Sequence, residues 1–94
     1  MDILIIEDDN TGFAQAKLNN YQIGTMNYSK MGKDLIAIDA TFVEPAHEGK
    51  GVGKKMLYKI VEMARKNNIK IIPICPFAVA MFNKMDSIAD VLKS

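Results

Sequence analysis

The chain has little of several residue types that would point to particular chemistries. Among its 94 residues are one cysteine and one histidine, which excludes an internal disulfide and a closed zinc site. Its net charge is only +1, so no overall positive field favours nucleic acid. Aromatic residues make up 7% of the chain and do not interleave regularly with lysine, which argues against a stacking platform for single-stranded nucleic acid.

No segment is long and apolar enough for a membrane-spanning helix. The longest run without a polar residue covers residues 71–82 and is interrupted by Pro73 and Pro76, whereas a spanning helix needs about 18 residues. The amino-terminal end is acidic, at Asp2 and again at residues 7–9, which is the wrong charge for a secretory signal. We therefore expect a cytoplasmic protein with no membrane partner.

The composition present is that of one globular domain. Hydrophobic residues make up 49% and charged residues 24%, which is ordinary usage, and we expect a single domain over residues 1–94. The charges are divided unevenly along the chain. Residues 1–49 hold eight acidic and three basic side chains, whereas residues 50–94 hold three acidic and nine basic ones.

Alternating apolar residues and turn residues predict four strands in an antiparallel meander. The predicted strands cover residues 3–6, 13–18, 21–29 and 35–43. The more apolar face of the fourth strand is expected to meet the core; it consists of Ile36, Ile38, Ala40 and Phe42.

Helical spacing begins after a glycine-rich turn. Apolar residues recur at Gly53, Met56, Leu57, Ile60, Val61 and Ala64, and two asparagines close this helix at residues 67–68. A fifth strand over residues 69–74 can lie parallel to the fourth because a helix connects them. A second helix is predicted over 77–85, with a last helical turn over 88–92. The prediction is a mixed α/β sheet with a C-terminal helix.

The turn at residues 48–54 has the character of a phosphate-binding loop. Its glycines allow several N–H groups to point in one direction, and the following helix start adds partial positive charge. Three motifs nevertheless fail on spacing: the Walker loop, the dinucleotide fingerprint and the KH loop. A solvated lysine face at Lys50, Lys54, Lys55 and Lys59 is the alternative.

A fourth pattern fits better. The turn resembles the pyrophosphate-binding turn of the GNAT superfamily, the general-control-related N-acetyltransferases, whose pattern is [RQ]-x-x-G-x-[GA]. Gly51 and Gly53 match it, whereas Glu48 stands at the Arg/Gln position. The segment Pro-Ile-Cys-Pro-Phe at residues 73–77 is similar to the small stand-alone branch of that superfamily.

The resemblance implies a GNAT-like fold, acetyl-CoA as co-substrate, no metal, and a set of site residues. Phe42 and Val43 would lie beside the thioester, where a strand bulge aims a backbone N–H at the thioester carbonyl. In that fold the fourth and fifth strands splay apart, so Pro73 lies where its missing N–H had no partner; otherwise Pro73 marks an edge. The other coenzyme contacts implied are Glu48, Gly49, Lys50, Gly51, Val52, Gly53, Lys54, Cys75, Pro76, Phe77, Asn83 and Lys84.

The catalytic side chains are left open by the sequence. Cys75 precedes Pro76 and is expected to cap the second helix, where it could be a nucleophile, an acid for the leaving thiol, a coenzyme contact, or a buried small hydrophobe. His47 could be the base for the acceptor amine or an inactive surface histidine, and Glu44 and Asp39 are alternative bases. Many larger relatives in the superfamily protonate the departing thiolate with a tyrosine after the fifth strand, whereas no tyrosine occurs among residues 76–94 here.

The function implied is a minimal N-acetyltransferase that passes acetyl directly from acetyl-CoA to an amine. No helices fit between the first two strands, so one sheet face should be open to a bulky acceptor such as a peptide or protein amine, or to a partner. We expect a monomer or a weak homodimer. The alternatives are a non-catalytic acyl-CoA-binding module and, with less support, a small RNA-binding domain that uses the lysine face.

Overall fold

The computed structural model describes all 94 residues and contains one five-stranded sheet. The strands lie in chain order, β1–β4 pair antiparallel, and β5 lies parallel to β4, so the predicted architecture is confirmed. The elements are β1 (Asp2–Glu7), β2 (Thr11–Leu18), β3 (Tyr21–Gly32), β4 (Leu35–Val43), α1 (Val52–Asn67), β5 (Lys70–Pro73) and α2 (Pro76–Lys84), with 3-10 helices at Pro45–His47 and Asp86–Val91.

Asparagine provides the backbone conformation at two chain reversals. Asn19 and Asn20 adopt φ values of 52° and 70° between β2 and β3, and Asn68 adopts 56° where α1 ends. Asparagine tolerates this left-handed region better than most residues. The turn and the helix end predicted at these residues are confirmed.

Both helices pack on the same face of the sheet. The apolar stripe of α1, which includes Met56, Leu57 and Ile60, is fully buried against the strands. At its start α2 places Phe77 against α1, and at its end Tyr58 Oη lies 3.7 Å from Met85 Sδ. Consequently the other sheet face carries no helix, as expected from the short β1–β2 connection.

A bulge in β4 changes which side chains reach the core. Ile38 pairs with Tyr28 and Ala40 pairs with Asn27, so Asp39 is an extra residue, and a bulge of this kind shifts the alternation of side chains by one. Ile36 and Ile38 are buried as predicted. The prediction for Ala40 and Phe42 is wrong, because both are exposed on the open face, Phe42 by 54%.

The strands β4 and β5 separate at the bulge. Their pairing ends at Ile38 and Pro73, and the Ile38 carbonyl accepts the N–H groups of Ile74 at 3.0 Å and Cys75 at 3.1 Å. Since Ile74 directs its N–H towards β4, the nitrogen of Pro73 faces the outer edge. Pro73 therefore marks an edge.

No helix of the protein is long and apolar enough to cross a membrane.

Candidate functional site

A cleft lies between the end of β4, the start of α1 and the first turns of α2. The cleft has a volume of about 380 Å³ and lies on the helix-covered face of the sheet. Its walls are formed by Thr41, Val43, His47, Glu48, Gly49, Gly51, Val52, Gly53, Lys54, Phe77 and Met81. All of these except Thr41 and Met81 were predicted from the sequence, so the structure brings most of the predicted site together.

Two glycines shape the loop that leads into α1. Gly49 and Gly51 have φ values of 78° and 77°, and a Cβ atom added at either would meet nothing within 4 Å. Residues with side chains rarely adopt this conformation, so the backbone conformation of the loop accounts for glycine at both positions. The space beside them is open, which leaves the loop accessible to a ligand.

The start of α1 is suited to an anion. Gly51 caps the helix without a side-chain hydrogen bond, and the first turn contains no acidic residue. The first amides of a helix have no partner within the helix and carry partial positive charge. Lys54 adds a positive side chain at the cleft. Together these groups fit a phosphate, and Glu48 is the one acidic side chain beside them.

Glycine is required at position 53 for a different structural reason. A Cβ atom at this position would lie 2.8 Å from Cζ of Phe77, which is closer than packed carbon atoms approach. The second glycine of the motif therefore lets the Phe77 ring pack against α1. This contact joins the two helices and makes Phe77 a wall of the cleft.

Backbone groups of β4 face the gap between the strands. The Glu44 N–H donates to the Ile23 carbonyl of β3 at 2.8 Å, and neighbouring residues of a strand direct their amides to opposite sides. Thr41 and Val43 therefore direct their amides towards the gap, whereas the Phe42 amide faces β3. The bulge at Asp39 comes before the positions Phe42 and Val43 at which the resemblance placed it.

Cys75 caps α2, as predicted. Its Sγ accepts the Ala78 N–H at 3.4 Å and lies 3.3 Å from Thr41 Oγ1, with Pro76 next in the first turn of the helix. Cys75 is only 5% exposed. The Thr41–Cys75 contact bridges the separated strands, and Thr41 could have been found from the sequence only if the bulge had been known.

The remaining predicted residues are dispersed around the cleft. His47 is half-buried in the 3-10 helix and lines the cleft, whereas Lys50 is exposed in the loop. Asn83 and Lys84 are exposed in the last turn of α2, outside the cleft lining. Asp39 lies on the open face, where Ser29 Oγ donates to it at 2.5 Å. No group of three or more His, Cys, Asp or Glu side chains is placed to hold a metal ion.

The comparison with protein families identifies the class to which this fold and cleft belong. Residues 13–91 match the family model described as GCN5-related N-acetyl-transferase. Because the match covers most of the chain, the protein belongs to this family. No curated protein sequence matches the chain significantly.

Solved structures give the same fold. A GCN5-like protein from Staphylococcus aureus, a candidate N-acetyltransferase, is 38% identical, with 97% of this chain and 88% of that chain covered and a TM-score of 0.71. A ribosomal-protein-alanine N-acetyltransferase from Brucella melitensis is 16% identical over 83% of this chain, with a TM-score of 0.72. This chain spans only 62% of the Brucella chain. An aminoglycoside N-acetyltransferase solved with CoA is 14% identical, covers 82% of this chain and 67% of its own, and has a TM-score of 0.62.

Proposed function

We propose that the protein is an acetyl-CoA-dependent N-acetyltransferase that transfers acetyl directly to the amine of a bulky acceptor, such as a peptide or a protein. The observation that carries this proposal is the continuity of one cleft. It joins the start of α1, which no side chain caps, to the end of β4, where the backbone amides of Thr41 and Val43 face the gap. Phosphate binding and carbonyl polarisation are thus provided side by side.

The loop and the first turn of α1 are suited to the pyrophosphate of the coenzyme. The amides from Gly51 to Lys54 would hold it through N–H groups and the partial positive charge of the helix end. Acetyl-CoA supplies the activated acyl group when bound. Glu48, which stands where the family pattern has Arg or Gln, puts one negative charge at the cleft, and the positive charge of Lys54 offsets it there.

A fixed backbone amide in the gap can stabilise the oxyanion that forms when an amine attacks a thioester. Val43 and Thr41 are the candidates because their amides face the gap. Such donors are effective because they are already oriented and need no reorganisation during the reaction. The second contribution is positioning, which holds two substrates together in the reactive geometry.

The Thr41–Cys75 pair stands in for the tyrosine that is absent from α2. The two polar atoms are 3.3 Å apart at the separation of the strands. Either group can donate a hydrogen bond to the departing thiolate, and the proton that the thiolate takes up comes from the nitrogen of the attacking amine. His47 lines the same cleft and is the candidate base for the acceptor amine.

The acceptor is inferred from the face that is left uncovered. The β1–β2 connection is three residues long and is closed by Asp8, whose carboxylate accepts the amides of Asn10 and Thr11. No inserted helix shields the sheet at this point. A large acceptor can therefore reach the gap from the face opposite the cleft.

The proposal is tested first by amide NMR during a titration with acetyl-CoA, with ATP and an RNA oligomer as controls. We expect shifts at residues 49–54 and at Thr41, Val43 and Cys75. Release of free CoA in the presence of a lysine-rich peptide then tests transfer. Binding without transfer to any amine would favour the non-catalytic acyl-CoA-binding module, and no coenzyme-specific shift would refute both functions.

Two variants connect the titration to the cleft. Lys54→Ala removes a positive side chain from the cleft wall, and Lys66→Ala removes one from the far end of the same helix. Loss of one charge-assisted hydrogen bond should weaken coenzyme binding about tenfold or more in Lys54→Ala. Equal affinities in the two variants would show that the Lys54 side chain does not contact the phosphates.

A further inference from the structure

We infer that Asp39, held by Ser29 on the open face, binds the ammonium group of the acceptor and selects cationic amines on an alkyl stem. The inference rests on the proposed transfer reaction and adds the chemical class of the acceptor. The bound ammonium loses one proton to solvent before it attacks, and the second proton lost by the nitrogen goes to the departing thiolate. It also assigns the acceptor to the sheet face opposite the coenzyme cleft. Three observations carry it: the bond to Ser29, the position in the bulge, and the apolar side chains beside it.

The first observation is that Asp39 is fixed but not neutralised. Ser29 Oγ donates to Asp39 Oδ2 at 2.5 Å, which orients the carboxylate across the open face. The two ion pairs of the protein join Lys30 to Glu7 and Arg65 to Asp90. No basic side chain of the protein therefore pairs with Asp39, and its other oxygen is available to a donor from outside.

The second observation is the place of Asp39 in the strand. It follows Ile38, the last residue of β4 that pairs with β5, and it is the extra residue of the bulge. On the opposite face Thr41 and Val43 line the cleft. Asp39 therefore lies beside the gap on its open face, with its carboxylate held by Ser29 of β3.

The third observation is the apolar surround. Phe42 on β4 and Ile74 after β5 are 54% and 56% exposed, although both are large and hydrophobic. Alternation puts Ile74 on the open face, because Ile72 pairs with Ala37 there and Ile74 is two residues further along. A carboxylate next to these side chains matches an ammonium group on a hydrocarbon stem.

The charge distribution points in the same direction. Glu44, just beyond the end of β4, is also exposed. Asp39 and Glu44 thus put two negative charges at this end of β4, and negative charge raises the local concentration of cations.

The experiment uses n-butylamine as the probe and n-butanol as its neutral match. Amide NMR follows both titrations in the free protein and in the CoA-saturated protein. Asp39→Asn removes the charge and keeps the shape, Ser29→Ala releases the carboxylate, and Asp2→Asn removes a carboxylate from the same face at β1. With acetyl-CoA, the same variants give KM and kcat for n-butylamine.

We expect butylamine, and not butanol, to shift the amides around Asp39, Ala40 and Ile74. Asp39→Asn should weaken this binding and raise KM about tenfold, with kcat changed less than about twofold. Ser29→Ala should act in the same direction with a smaller effect, and Asp2→Asn should behave as wild type. Coenzyme shifts at residues 49–54 should be the same in all variants.

The inference is overturned if Asp39→Asn and Asp2→Asn bind butylamine equally well, or if butanol competes equally with butylamine. These results are distinct from failure of the proposed function, in which CoA produces no shifts at residues 49–54. The titration of the free protein decides whether Asp39 binds a cation even in that case.

Discussion

The contact between Gly53 and Phe77 predicts a mutational effect whose sign depends on the background. Gly53 lies in the first turn of α1 without a positive φ, so alanine would suit its backbone and favour the helix by up to about 1 kcal/mol. The added Cβ, however, would lie 2.8 Å from Cζ of Phe77 and 3.2 Å from both Cε atoms. Overpacking of this kind costs about 1–3 kcal/mol.

The net result follows from the mobility of the ring. Phe77 is half-buried and meets Gly53 with the end of its ring, so it can tilt, and the lower part of the cost range applies. We expect Gly53→Ala to lower the free energy of unfolding by about 1 kcal/mol. For a chain of this size, that corresponds to a fall in Tm of about 5 °C.

The background that tests the reasoning is Phe77→Ala. Once the ring is removed, the alanine at position 53 meets open space, and only its helix preference remains. Gly53→Ala should then raise the free energy of unfolding by about 0.5 kcal/mol. The coupling between the two sites should therefore be about 1.5 kcal/mol, which a double-mutant cycle resolves.

Urea unfolding followed by circular dichroism gives the free energy of unfolding of wild type, Gly53→Ala, Phe77→Ala and the double variant, and the comparison holds if their m-values are equal. The reasoning is refuted if Gly53→Ala changes stability by the same amount with and without the Phe77 ring. In that case the glycine would not be explained by helix packing, and a role in close ligand approach would become the better account of its presence in the motif.

Three further predictions concern the loop and two polar contacts. Gly51→Ala should cost about 1–2 kcal/mol from left-handed strain alone, equally with or without the Phe77 ring, as the same urea experiment will show. The Arg65 guanidinium holds the pKa of Asp90 below its usual value through their hydrogen bonds. The stabilisation by this ion pair is therefore present above about pH 4 and is lost as the pH falls through the lowered pKa. Between about pH 5 and pH 2, the stability of Asp90→Asn should fall less than that of wild type. Burial and the hydrogen bond to Glu7 raise the pKa of the Tyr28 phenol above its usual value of 10. The stabilisation from the protonated phenol is therefore complete below pH 10 and is lost as the pH rises through the raised pKa. Tyr28→Phe should lose less stability on alkaline titration than wild type.

Much of the fold could be predicted because local signals and packing agree. The bounds of β4 match the structure because its apolar alternation is bordered by a Gly-Lys-Asp turn and by Pro45. The helix bounds follow from the apolar stripe of α1 and from Asn68 at its end. Such agreement between local preference and final structure is typical of natural sequences.

The register of β4 could not be predicted in the same way. A bulge adds one residue, and nothing in the side chain of Asp39 requires it; the shift depends on how β3 and β4 twist together. The faces of Ala40 and Phe42 were therefore assigned wrongly, and Thr41 was missed. Asn83 and Lys84 came from the family resemblance, and their role as coenzyme contacts stays a prediction.

The bulge explains how so short a chain can form a site with two sides. Before the bulge, Ile36 and Ile38 face the helices and hold β4 to the core. After it, the inward positions pass to Thr41 and Val43, which line the cleft, and Phe42 turns to the open face. Without the extra residue, Phe42 would face the helices, and Thr41 and Val43 would leave the cleft.

The same residue marks the place where the sheet opens. Asp39 follows Ile38, whose carbonyl accepts the amides of Ile74 and Cys75 just after β5. The shift in facing and the separation of the strands therefore begin at the same place. Larger members of a fold can build an acceptor site from inserted helices, but a 94-residue chain has none to use. In our proposal a carboxylate at the bulge contacts the acceptor directly from the sheet. We therefore expect substitution of Asp39, rather than of a loop residue, to alter acceptor specificity.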